Sequence, residues 1–238
     1  MAAGGGRERF PPTHRSVVDL LRSDEAEERI RSLALVTRAY HAPVYEHLRA
    51  RWRLDGDAAL ELTQEFFTTA VDKGWLAGFD PAKGRFRTYV RMCVDRLVSV
   101  RRRDSRRIKR GGAAVVVELE AAEEEMTSEG GSPEERFERE WVKSLFGLAV
   151  TTLREECERR SKTSWFTIFS RYDLDESDVD VSYASLGQEL GLRPKDIANQ
   201  LAAARREFRR IVLETLRQLT ASEEEFREEA RLLLGTDP

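Results

Sequence analysis

The chain has 238 residues, 40% hydrophobic and 35% charged, with a formal net charge of −3. That length supports one large domain or two small ones, each with its own core. No run approaches the roughly 18 apolar residues of a spanning helix, so membrane insertion is not expected. Residues Met1–Pro12 carry Arg7 and Arg9 with no apolar run behind them and do not read as a secretory signal.

Taken in chain order, the apolar residues recur at helical period, and no alternating strand stands out. The chain reads as all-α. Residues 1–12 read as a disordered extension. A first helix carries Ile30, Leu33, Thr37, Tyr40, Val44 and Leu48, and Pro43 is expected to kink or divide it. Asp55-Gly56-Asp57 is a turn, with Asp57 placed to cap the next helix. That helix, about Ala58 to Lys73, lines up Leu62, Phe66, Thr69 and Ala70 and ends at Gly74. A loop from Trp75 to Gly84 follows. The next helix sets Phe86, Tyr89, Val90, Cys93, Leu97 and Val100 on one face and leaves through Arg106, Arg107, Lys109 and Arg110.

Gly111-Gly112 breaks the pattern, and residues 111–133 have linker composition, rich in Glu, Gly, Ser and Ala. Val115-Val116-Val117 is the one β-leaning run. A second helical unit, 134–219, begins near Pro133 with Trp141, Leu145, Leu148 and Thr152 in register. Asp173–Asp180 is an acidic loop. Ser182 caps a short helix that stops at Gly191, and Pro194 opens another with Ile197, Leu201, Ala204, Phe208 and Ile211 on one stripe. Residues 220–238 form a tail with one more amphipathic helix.

Charge is segregated along this series. Lys83–Arg110 holds twelve Lys/Arg against two acids, whereas Glu118–Glu140 holds ten Glu against two Arg. A basic block in a near-neutral chain points to a local anionic partner. Cys93 and Cys157 lie far apart and, with three scattered histidines, offer no disulfide scaffold and no metal site; a reducing cytoplasm is the expected compartment. There is no Gly-rich phosphate loop, no His-Glu zinc helix and no nucleophile–base pairing, so neither an enzyme nor a cofactor is expected.

Two patterns point to nucleic acid. Ser182–Arg210 has the helix–Gly–helix spacing of a helix-turn-helix, whose second helix enters the major groove. Lys195, Asn199 and Gln200 fall in its first turns, where amides can read adenine and Lys can reach guanine or phosphate. Arg205, Arg206, Arg209 and Arg210 suit phosphates. The second pattern is the Arg-rich helix behind a loop bearing Trp75, Phe79 and Phe86, a composition that holds single strands. Packing explains both as well: a plain helical hairpin in the first case, core aromatics in the second.

The order of these pieces resembles the extracytoplasmic-function (ECF) group of bacterial sigma-70 family RNA polymerase sigma factors. The resemblance rests on Ala59-Leu-Glu-Leu-Thr-Gln-Glu-Phe-Phe67, Phe79-Asp-Pro-Ala-Lys-Gly-Arg-Phe-Arg-Thr-Tyr-Val90, Arg101-Arg-Arg-Asp-Ser-Arg-Arg107 and Tyr183-Ala-Ser-Leu-Gly-Gln-Glu-Leu-Gly-Leu192. It implies two helical domains joined by an acidic flexible linker. Residues 13–110 would bind the β′ clamp of core RNA polymerase and the melted −10 element; residues 134–219 would bind the β flap and the duplex −35 element. By matching position, Glu61, Gln64, Glu65 and Phe66 fall in the clamp-binding helix. Phe79, Lys83, Arg85 and Phe86 fall where non-template bases are held. Arg87, Arg91, Arg96, Arg101, Arg102 and Arg103 would line the strand path, and Arg193, Lys195, Asn199, Gln200, Arg205 and Arg206 the −35 reader. An anti-sigma factor or a Ser/Thr kinase would be the regulating partner.

Three departures stand out. The acidic pair usual before Leu-x-Gln-Glu is Leu60-Glu61 here, an Asn usual in the basic helix is Arg96, and the reader helix shows Ala198, Ala202 and Ala203 where basic residues are usual. The missing acid singles out Thr63, one turn from Leu60, as a regulatory phosphorylation site that would add about −1.5 to −2 charges. The alternatives are a stand-alone helix-turn-helix regulator of duplex DNA and a protein-docking helical protein with no nucleic-acid partner.

Overall fold

The computed structural model describes residues 16–111, 131–175 and 182–235. All its regular elements are helical, and among the described residues none is a strand. A short helix α1 (Val17–Leu21) opens on a reciprocal cap: the Ser16 hydroxyl accepts from the Asp19 amide, and the Ser16 amide donates to the Asp19 carboxylate. Its buried Val17 and Val18 tie this opening segment to the core. Arg22, at its end, donates to the backbone carbonyls of Ala77 and Phe79 and so braces the 75–84 loop.

The long α2 (Ala26–Trp52) runs unbroken through Pro43. The expected division does not occur. Pro43 is buried with Ala39, Tyr40, Val44, His47 and Leu48, and the burial of this face offsets the lost backbone bond, a cost of about 3 kcal/mol. Ile30, expected on the buried stripe, is 65% exposed. α3 (Gly56–Asp72) is capped by Asp55 rather than Asp57: its carboxylate accepts from the Ala58 amide at 2.8 Å. α4 (Phe86–Gly111) carries the basic block and begins two residues after Gly84, whose φ of 135° only glycine adopts without strain.

After the gap, Ser132 and Glu135 form a second reciprocal cap and Pro133 opens α5 (Pro133–Arg159). α6 (Thr163–Phe169), α7 (Tyr183–Leu190), α8 (Pro194–Leu219) and α9 (Glu223–Leu234) complete the fold. Of the expected linker 111–133, residues 112–130, with Glu118–Glu129 and Val115–Val117, lie outside the described residues, as do 1–15 and most of the acidic loop after Asp175.

The buried side chains do not divide at that linker. One cluster joins α1–α4 to the first half of α5 (Phe137, Trp141, Leu145), the end of α8 (Leu216, Leu219) and α9 (Phe226, Ala230). A second gathers Leu153 and Cys157 of α5, Ile168 and Phe169 of α6, Leu186 of α7, and Ile197, Leu201 and Ala204 of α8. α5 and α8 therefore span both cores, and α5 lies along α2 as the most extensive helix pairing in the fold. No helix among the described residues is long and apolar enough to cross a membrane.

Candidate nucleic-acid interface

The helix-turn-helix is built locally. Ser182 and Ser185 cap α7 reciprocally, and Gly191 ends it in the left-handed conformation (φ 67°). Leu192 turns back to donate its amide to the Gly187 carbonyl at 2.9 Å. A side chain at Gly187 would stand 2.6 Å from the Leu192 carbonyl oxygen, so the turn closes only over glycine. Arg193 then precedes Pro194 at the first position of α8. Buried Leu186, Ile197 and Leu201 hold the two helices together.

Of the six side chains expected to read duplex DNA, three share an outward stripe. Lys195, Asn199 and Arg206, with Ala202 between them, are exposed at spacings of four, three and four, one face of a helix. The small Ala202 leaves that face low between its polar neighbours. The other three are occupied. Arg193 makes two bonds to the Asp196 carboxylate, at 2.7 and 3.1 Å, and these hold that carboxyl below its ordinary range. The Gln200 carbonyl accepts from the Ser164 hydroxyl of α6 at 2.7 Å. Arg205 grips Asp173 at 2.8 and 2.5 Å and lies over the Tyr172 ring. Gln200, half-buried, and Arg205, still exposed, are thus tied to α6 and the following turn; their partners lie more than 30 residues away, so the helical stripe alone did not reveal them.

The residues expected to hold a single strand are placed differently from the expectation. Phe79 and Phe86 are core residues, 2% and 0% exposed. Their rings meet edge to face at 5.3 Å, and Phe86 stands edge-on to Tyr40 at 5.7 Å. No ring face is left for a base. The reason is that α4 packs its first turn directly under the 75–84 loop that Arg22 draws down.

Lys83 is open to solvent beside Asp80. Arg85 meets Glu228 at 2.9 Å and Glu229 at 2.8 Å, both on α9. Arg87 meets Glu229 at 2.7 Å and Glu138 of α5 at 2.7 Å, with its guanidinium 4.8 Å from the Trp141 ring centre. Glu138, Glu228 and Glu229 were invisible as site partners in the sequence. The one signal for Glu228 and Glu229 is the acidic character of the tail helix, and for Glu138 the acidic block Glu118–Glu140.

Further along α4, Arg96 and Arg103 are exposed seven residues apart on one face, and Arg91 is half-buried. Arg102 stacks over Trp52 at 4.6 Å. Arg101 reaches across to α3, where it pairs with Glu65 and stands 3.8 Å from Glu61. The side chains from 105 onward, including Arg106 and Arg107, lie outside the described residues.

On α3, Glu61 and Gln64 are exposed, Glu65 is half-buried, and Phe66 is a core residue against Phe67. Thr63 is also in the core: it is wholly buried, and its hydroxyl donates to the Ala59 carbonyl at 2.7 Å. The structure therefore corrects its reading as an accessible phosphorylation site, because the hydroxyl is buried and bonded to its own helix rather than open beside Glu61.

Among the described residues no cluster of His, Cys, Asp and Glu is arranged to hold a metal ion. Compared with family models, with curated proteins and with solved structures, the chain matches none.

Proposed function

We propose that this chain is a promoter-recognition subunit of bacterial RNA polymerase, an alternative sigma factor of the extracytoplasmic-function type, and not an enzyme. The observation that carries the reading is the outward stripe Lys195–Asn199–Ala202–Arg206 on the second helix of a glycine-closed helix-turn-helix. It occurs in one chain with the motif series of α3 and α4 that resembles those sigma factors.

In this reading α8 lies in the major groove of duplex DNA. Asn199 is placed for the paired edges of an adenine, and Lys195 and Arg206 for guanine or phosphate. The α3 face of Glu61, Gln64 and Glu65 meets the polymerase clamp, and Arg96 and Arg103 carry the phosphates of the opened strand. Melting costs roughly 1.4 kcal/mol per base step, so a subunit can stabilise an open strand by binding alone. The same proposal gives the two units, which share one core here, separate DNA elements, and includes the acidic linker and a cytoplasmic location.

The test is complex formation. The chain mixed with core RNA polymerase should co-elute with it at moderate salt, and Glu61→Lys/Gln64→Ala should weaken that complex about tenfold or more. A stand-alone duplex-binding regulator is the second reading, favoured by the burial of Phe79 and Phe86 and by the paired state of Arg85 and Arg87. It predicts tight duplex binding without polymerase and no co-elution.

A further inference from the structure

α9 lies across the start of α4. It carries five Glu against two Arg. Ser222 caps it; Phe226 and Ala230 are buried in the main core, Leu233 packs against that core and Leu234 against the second, while Leu232 is 72% exposed. The contact with α4 is ionic. Arg85 takes Glu228 and Glu229; Arg87 takes Glu229 and, from α5, Glu138. Glu229 is 3% and Arg87 10% exposed at the side chain. Glu225, one turn back, is half-buried; burial pushes its carboxyl upward.

Arg87 and Glu229 are buried, while Arg85 and Glu228 beside them are 37% and 50% exposed at the side chain; burying such an ion pair is a poor way to gain stability. Apolar side chains of the same size hold such an interface as well or better. What the arrangement does supply is an anionic rod on a cationic pair. A carboxylate and a phosphate can take the same place there, because a guanidinium fork donates to either in the same geometry.

We infer that α9 is a built-in competitor for the Arg85–Arg87 site: it occupies the site in place of the sugar–phosphate backbone of a nucleic-acid strand, and a strand must displace it to bind. The inference rests on the proposed reading only in taking α4 as a nucleic-acid surface. Thr220–Ser222 join α9 to α8, and displacement of α9 about that connection must release Phe226 and Ala230 from the main core and Leu234 from the helix-turn-helix core. A site that is open in about 1–10% of molecules binds its ligand about 10- to 100-fold more weakly than the open form does.

The test uses the full chain and a fluorescein-labelled single-stranded oligonucleotide followed by anisotropy at low and moderate salt. Glu228→Gln/Glu229→Gln should bind about tenfold more tightly than the parent, with a steeper salt dependence as phosphates meet the freed arginines. Equal affinity of the two proteins, with the variant folded by circular dichroism, overturns the inference and makes α9 a structural strut. A second measurement needs no variant: amide exchange of α9 in the parent should speed up when saturating oligonucleotide is added. Unchanged protection of α9 in the DNA-bound chain likewise overturns it. The two levels separate cleanly. A variant that gains strand affinity but never joins core polymerase keeps the competitor and removes the sigma reading; a parent that joins polymerase while α9 stays protected on DNA does the reverse.

Discussion

The guanidinium of Arg87 lies 2.7 Å from the carboxylate of Glu229, 142 residues further along the chain, and neither side chain is more than a tenth exposed. This pair fastens the last helix to the basic helix. Removing one partner strands the other charge in the interior, which costs about 3–5 kcal/mol. Glu138 still faces Arg87, so Glu229→Ala should fall near the lower figure. In a chain of this size that is a fall of roughly 6–12 °C in melting temperature. The double variant Arg87→Met/Glu229→Leu should lose less than Glu229→Ala alone; a loss equal to the sum of the singles would show the two residues to be uncoupled.

Thr63 separates a regulatory role from a structural one. Its hydroxyl only back-bonds to a carbonyl of its own helix, and the side chain is wholly buried. Thr63→Val should therefore shift stability by no more than about 1 kcal/mol. Thr63→Glu, which forces a charge among Leu62, Phe66 and Ala59, should cost more than about 3 kcal/mol or prevent folding. Thermal melting followed by circular dichroism checks both. A stable Thr63→Glu protein with improved polymerase binding would contradict the placement of this residue.

Two glycines make opposite demands at the helix-turn-helix. Gly187 has an ordinary backbone but no room: an added methyl stands 2.6 Å from the Leu192 carbonyl. Gly191 has room but a left-handed φ of 67°. Gly187→Ala should open the turn, cost about 2–3 kcal/mol and reduce duplex binding. Gly191→Ala should cost only about 1 kcal/mol and leave binding nearly intact. Melting and duplex anisotropy measured on both variants would show the order reversed if the turn did not depend on close packing.

The local chemistry of these turns was readable in the residues. Ser132-Pro133, Ser182, Gly191 and Pro194 mark helix ends through bonds that reach three or four positions, and each end fell where that chemistry puts it. Helical period likewise located α3 and the start of α8. What period cannot separate is an aromatic that faces a partner from one that faces the core. Phe79 and Phe86 read either way until Tyr40, some forty residues earlier, is seen beside them. Pro43 misled because the penalty of its ring is local, while the burial that offsets it comes from other helices. α1 went unseen because it is five residues long. The pairing of Arg85 and Arg87 with Glu228 and Glu229 spans more than 140 residues, and composition alone showed only opposite charge on the two segments.

Asp95 links α4 to α2. It accepts from Trp52 Nε1 at 2.7 Å and meets His47 Nε2 at 2.9 Å. Burial pushes its carboxyl upward, but these two bonds, with the nearby Arg51 charge, outweigh burial and hold it below the ordinary range. A carboxyl lowered in the folded state stabilises above its unfolded value, about 3.9, and that contribution is lost as pH falls further through the folded value. Asp95→Asn should therefore be less stable than the parent at pH 6, and the gap should shrink below about pH 4. Urea titrations across that range give the answer, and a gap independent of pH would contradict it.

The central claim is that this chain gives core RNA polymerase a start site. Run-off transcription from a promoter library with purified core enzyme, with and without the chain, tests it most directly. The account predicts discrete new transcripts that require the chain, disappear with Lys195→Ala/Asn199→Ala, and increase with Glu228→Gln/Glu229→Gln. The same set of transcripts with and without the chain, at concentrations where core enzyme is saturated with it, would contradict it.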